Sequence, residues 1–145
     1  MAPPQRGEVI GLDHAIYHHC HRISVLEDMP DSATARQLLT RAADQVRPIM
    51  ASHKWKVLSL EEFYPPTPNL LGLNTNHGQR VQIRLRSPSN RATFLPYPSI
   101  LRTLLHELVH NDIGPHNAQF YALLDQITTE CEALVARGGD NGVDG

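Results

Sequence analysis

His106 and His110 stand four residues apart, with Glu107 directly after the first and His116 six residues beyond the second. On an α-helix, residues four apart differ by about 40° in direction, so both imidazoles leave one face together. Glu107 lies one residue on, beside that face. Two histidine ligands with a carboxylate beside a metal-activated water is the arrangement a zinc hydrolase needs. A catalytic zinc takes three protein ligands and keeps a fourth position for water. A helical residue six positions after His110 would point elsewhere, so the third ligand must come from outside the helix. Gly114 can take a left-handed turn and Pro115 cannot continue a helix, so the chain folds back and presents His116. The chemistry expected is peptide hydrolysis without a covalent intermediate. Zinc brings the pKa of its water towards roughly 7 and polarises the scissile carbonyl. Glu107 takes the proton, then delivers it to the leaving amine. Two blander readings stand beside this one: incidental surface histidines on an ordinary helix, and a site that binds metal without cleaving.

These residues need a scaffold. A helix is expected from about Ser99, just after Pro98, through His110, with Leu104, Leu105, Leu108 and Val109 free to pack its other faces; Gly114-Pro115 ends it. A further helix runs from about Asn117, carrying Phe120, Leu123, Leu124, Ile127, Cys131, Leu134 and Val135 on one stripe. Earlier in the chain, Leu38, Leu39, Ala42, Val46, Ile49 and Met50 keep helical spacing between Ser32 and Ser52, with Asp31 or Ser32 as cap and Pro48 as a kink or break. A short strand is expected around Trp55–Leu60, then a proline-rich loop, Tyr64–Pro68. Val81–Arg86 alternates apolar and polar as a half-buried strand does. About three helices around a small antiparallel sheet make the fold α+β, a zincin-like core built on the helix of the histidine pair. The 145 residues, 41% of them hydrophobic, suit one domain over 1–145, with 1–7 and 138–145 as loose ends.

Composition excludes several classes. The net charge of −2 and 19% charged residues leave no polybasic arm and no highly charged disordered tail. No apolar run approaches the roughly 18 residues of a membrane span. The N-terminus leads into no hydrophobic segment of signal-peptide type, and Cys20 and Cys131 make no disulfide framework, so a reduced intracellular compartment is the default. The near-neutral total hides an asymmetry: five arginines and no acid between Phe63 and His106, then seven acids against Arg137 alone. Arg80, Arg84 and Arg86 fall on or beside one strand, where they meet nucleic-acid phosphates or merely coat a solvated face. If that strand forms a cleft edge, it can also pair with an extended substrate. Trp55 and Tyr64 are the aromatics available for base stacking, although burial suits Trp55 better. His14, His18, His19, Cys20 and His21 form either a second metal site or a group of surface histidines. Tyr97 and Tyr121 lie close enough in sequence to stabilise an oxyanion or serve as packing residues. His77, in an Asn-rich loop, is unassigned.

Across roughly residues 8 to 137 the chain resembles the WLM family of zinc metalloproteases, relatives of the Spartan-type proteases. The resemblance rests on Trp55–Val57, Glu62-Phe63 with Pro65 and Pro68, Leu70–Asn74 and Val81–Arg86. It continues through Phe94–Tyr97, Thr103–Asn111, Gly114–Asn117 and Phe120–Asp125. Gly114-Pro-His-Asn117 is more specific than the His106–His110 motif alone, and Leu104 stands where methionine is expected, a volume-conserving exchange. The resemblance implies a nuclear protease, stimulated by DNA, the single-stranded form being expected, that degrades proteins covalently crosslinked to DNA. It implies His106, His110 and His116 as zinc ligands and Glu107 as catalytic base. Family members also carry tails that bind ubiquitin-like modifiers or a segregase ATPase, for which this chain has no room. Two other functions are compatible with the residues. One is a general three-histidine zinc peptidase with no nucleic-acid role; the other is a zinc-containing DNA- or modifier-binding module without catalysis.

Overall fold

The computed structural model describes residues 18–138. The chain runs β1 (Ile23–Ser24), α1 (Ser32–His53), β2 (Ser59–Phe63), β3 (Gly72–Thr75), β4 (Arg80–Arg84), β5 (Arg86–Ser87), β6 (Asn90–Phe94), α2 (Tyr97–Val109) and α3 (Ala118–Gly138). Three helices with a small sheet give the expected α+β fold.

The sheet itself is mixed where an antiparallel one is expected. Its strands lie in the order β1-β2-β4-β3; β1 with β2 and β2 with β4 are parallel, and β3 with β4 is antiparallel. The reason is connectivity. The long helix α1 separates β1 from β2, and such a crossover returns the chain in the same direction. A tight turn joins β3 to β4, with Asn76, His77 and Gly78 all at positive φ, 52°, 51° and 102°. A side chain at Gly78 would put its Cβ 2.3 Å from the Lys56 carbonyl oxygen, so only glycine fits that corner. The strand expected at Trp55–Leu60 sits later, at Ser59–Phe63, in register with β4. Val57 makes only a single bridge to Cys20. The run Val81–Arg86 divides at Leu85, and its last part pairs with β6 as a separate two-stranded ribbon.

Helix α1 is one element through Pro48, and Asp31 caps it with its backbone carbonyl rather than its side chain. Pro98 stands within the first turn of α2, where its missing N–H costs nothing. Helix α3 starts near Asn117 as expected, and Asn117 caps it, its Oδ1 accepting from the Phe120 N–H at 2.9 Å. Leu39, Ile49, Met50, Leu60, Ile83, Leu104 and Leu108 are fully buried between helices and sheet. The buried face of α2 is therefore anchored on all sides, and its other face is left for the histidines.

Candidate functional site

Helix α2 closes at Val109, and His110 follows in near-helical geometry, φ −66° and ψ −9°. The chain then tightens through the Asn111, Asp112 and Ile113 amides, which bond back to Leu108 and Val109 carbonyls, and reverses at Gly114-Pro115. The reversal returns His116 to the helix face. The ligand-capable nitrogens of His106, His110 and His116 all lie within 4.8 Å of one another. His110 Nε2 and His116 Nε2 are 3.1 Å apart. Nδ1 of His110 donates to the Ile113 carbonyl at 3.0 Å, which leaves Nε2 as the lone-pair nitrogen. Burial, reinforced by the neighbouring imidazoles, holds His106 and His110 below the usual histidine pKa. Both therefore favour the neutral form that binds metal. Three imidazoles converging in this way fit a metal ion. Beneath them lies Phe120, fully buried, its ring centroid 4.9, 4.7 and 4.9 Å from those of His106, His110 and His116. Its place in the apolar stripe of α3 marks it as core; that it also floors the histidine cluster depends on the crossing of α2 and α3.

Glu107 is buried beside the cluster, and desolvation pushes its carboxyl up to about 7. The edge strand β3 passes flat over it. A Cβ on Gly72 would stand 2.8 Å from Glu107 Oε2 and 2.9 Å from Thr103 Cγ2. The hairpin β3–β4 is clamped to the end of α2. Asn74 Nδ2 donates to the Glu107 carbonyl and to Asn111 Oδ1, both at 2.7 Å. Asn74 Oδ1 accepts from the Gly78 amide at 2.8 Å. His77 Nδ1 reaches the His110 carbonyl at 3.0 Å. Gly72, Asn74 and His77 are thus part of the site's frame, which sequence reading missed. An isolated glycine in a strand does signal close approach by another group, but not which group.

Two pockets meet at this point and share Leu70, Gly72, His106 and Glu107. One of 490 Å³ extends past His77, His110 and His116, and one of 430 Å³ extends past Leu95, Ser99 and Arg102. A larger hollow of 740 Å³ lies along α1, between Ala33 and Gln45, and among the described residues it has no comparable group of ligating side chains.

Two of the three arginines expected to meet phosphates are buried instead. Arg84, 1% exposed, donates to the carbonyls of Leu70, Pro65 and Thr67 and so holds the proline-rich loop in place. Arg86, 0% exposed, pairs with the equally buried Glu62 at 2.6 Å and donates to the Pro30 and Arg91 carbonyls. The face of β4 that reads as solvated is covered by that loop and by β5–β6. Only Arg80 is exposed, 3.6 Å from Glu61. Nor is β4 a cleft edge, since it lies between β2 and β3; the edge on the cleft is β3.

Of the two tyrosines, Tyr97 is buried with its hydroxyl donating to Gln45 and Arg41 over its ring, so it is a packing residue. Tyr121 is 49% exposed, with its ring 6.3 Å from that of His116. Trp55 is buried and stacked on His53. Tyr64 hydrogen-bonds the Ser87 carbonyl and faces the guanidinium groups of Arg84 and Arg91. Cys20 and Cys131 are free thiols. His14 lies outside the described residues. The rings of His19 and His21 stack at 4.3 Å, and among the described residues only His106, His110 and His116 form a group able to hold a metal ion.

Known proteins resemble this chain in sequence and in fold. The chain is 38% identical over 120 residues to the DNA-dependent metalloprotease WSS1 of Saccharomyces cerevisiae, covering 83% of this chain and 45% of that protein. It is 36% identical over 116 residues to the DNA-dependent metalloprotease WSS1 homolog 2 of Schizosaccharomyces pombe, covering 75% and 41%. The chain thus spans less than half the length of these curated relatives. Crystal structures of Wss1 from S. cerevisiae superpose with a TM-score of 0.82 at 38% identity over 83% of this chain and 94% of that one. Wss1 from S. pombe gives a TM-score of 0.71 at 38% identity, over 79% and 93%. The WLM domain model matches residues 18–145. With the same fold and a family match over most of its length, the chain belongs to the WLM domain family.

Proposed function

We propose that this domain is a zinc endopeptidase in which His106, His110 and His116 hold the ion and Glu107 is the catalytic acid–base. The observation that carries the reading is the convergence of three imidazoles with a buried carboxyl on a cleft bordered by β3, an edge strand among the described residues. When bound, zinc supplies Lewis acidity towards water and the scissile carbonyl. The ligand histidines are held by the Ile113 carbonyl, by the turn at Gly114-Pro115 and by the Phe120 ring beneath them. Glu107 receives the proton of the attacking water on its carboxyl and returns it to the leaving amine; a group poised near neutral pH does both. Edge strand β3 offers backbone N–H and C=O groups to an extended polypeptide. Pairing through the backbone is indifferent to sequence, which suits an enzyme that must digest many proteins.

The substrates proposed are proteins crosslinked to DNA, and the activator proposed is DNA, in particular its single-stranded form, with action in the nucleus. Support comes from relatives whose names read DNA-dependent metalloprotease. The test is a gel assay of zinc-loaded protein against a DNA-binding protein, with and without single-stranded DNA, and with Glu107→Gln in parallel. Cleavage that needs DNA and is absent in the variant is the expected result. Cleavage indifferent to DNA would favour a general peptidase, and its absence with zinc bound would favour a binding module.

A further inference from the structure

We propose that Arg102 makes the pocket towards the N-terminal end of α2 a subsite for an acidic substrate side chain, a preference that rests on the peptidase reading above. Arg102 stands one helical turn before His106, so the two side chains share a face of α2. It lines the 430 Å³ pocket that has Glu107 and His106 at its inner end. Among the described residues it is exposed and makes no hydrogen bond or ion pair. The other arginines of the basic middle segment are occupied: Arg84 and Arg86 by buried carbonyls and Glu62, Arg80 by Glu61, and Arg91 by the face of Tyr64.

The surroundings favour an anion with a short aliphatic stem. Leu71 and Leu95 supply apolar wall, Ser99 and Thr103 supply hydroxyls, and the sole carboxyl among the described lining residues is Glu107. The pocket also lies beside the first turns of α2, whose dipole favours negative charge. The Ser99 and Ile100 amides are already bonded to the Pro96 carbonyl, so the dipole acts through the field and leaves the directed contact to Arg102. An acidic side chain arriving here would face repulsion from Glu107, which the guanidinium offsets. A nucleic-acid phosphate is the weaker candidate, because a backbone needs a row of cations and the described lining of this pocket has one. The pocket also opens onto Gly72 of β3, where the substrate backbone would run.

Binding decides the matter independently of turnover. In the Glu107→Gln background, fluorescence anisotropy compares a glutamate-containing peptide with its glutamine twin. The acidic peptide should bind roughly three- to tenfold tighter, the range of one partly desolvated charge pair. Adding Arg102→Gln should erase the difference, and Arg102→Glu should reverse it in favour of a lysine peptide. Equal binding of the peptides, unchanged by either substitution, would overturn the proposal. In parallel, peptide-library digestion by the zinc-loaded protein should show Asp and Glu enriched at one fixed position from the cut, and Lys and Arg there in Arg102→Glu. An unchanged profile together with a raised DNA requirement in Arg102→Glu would assign the residue to phosphate and likewise overturn it. Absence of cleavage by the unaltered protein would sink the peptidase reading alone, with the anisotropy still deciding Arg102.

Discussion

At the scale of single residues, the site depends on a glycine as much as on its histidines. Gly72→Ala would place a methyl group 2.8 Å from Glu107 Oε2, and the carboxyl must move. Displacement of a catalytic group by about 1 Å costs on the order of 10²-fold in rate. The expectation is a fall in kcat of that size with zinc content unchanged, checked by steady-state kinetics and metal analysis. Glu107 also carries a stability signature. Its folded pKa, about 7, is raised above the ordinary carboxylate value by burial, so the metal-free fold is penalised wherever the unfolded chain ionises first. The penalty is absent at pH 4, grows between pH 4.5 and 7, and is complete above it. Metal-free Glu107→Gln should therefore be more stable than the unaltered metal-free protein at pH 8, by on the order of 3 kcal/mol, with the difference vanishing at pH 4. Urea denaturation at the two pH values measures it. The histidine pair and its turn were legible in sequence because helical spacing and a Gly-Pro break are local signals. Gly72 over Glu107 was not, because it depends on how a distant strand crosses the helix.

At the scale of elements, the arginines of β4 and β5 show where local patterning stops. Alternation correctly marks Val81 and Ile83 as buried, and it assigns Arg84 and Arg86 to a wet face. The loop after β2 and the β5–β6 ribbon cover that face, and this contact lies far along the chain. Arg86 ties Glu62, the Pro30 carbonyl and the Arg91 carbonyl into one buried junction. Removing it strands the Glu62 carboxylate, so Arg86→Ala should lose about 3–5 kcal/mol of stability. Chemical denaturation is the check; a loss below about 1 kcal/mol, the level of a surface pair, would contradict the burial. It follows that charge reversal at Arg84 or Arg86 disrupts the fold before it can report on DNA. The helices were legible because their apolar stripes are long. The direction of β2 was not, since parallel pairing is imposed by the α1 crossover and leaves no mark on the strand itself.

At the scale of the whole molecule, the core and the metal centre are separable. Leu39, Ile49, Met50, Leu60, Ile83 and Leu104 are fully buried between helices and sheet without help from the histidines. Chelation should therefore leave a folded protein with lower Tm, not an unfolded chain, and the loss should follow metal concentration by mass action. Circular dichroism melts with and without chelator test this; a coil spectrum after chelation would mean that the metal holds the fold. The most direct test of the central claim pairs zinc content with cleavage in three proteins: unaltered, Glu107→Gln and His110→Ala. One zinc per chain and cleavage are expected in the first, one zinc without cleavage in the second, and little zinc or cleavage in the third. Full cleavage by Glu107→Gln, or full zinc in His110→Ala, would contradict it.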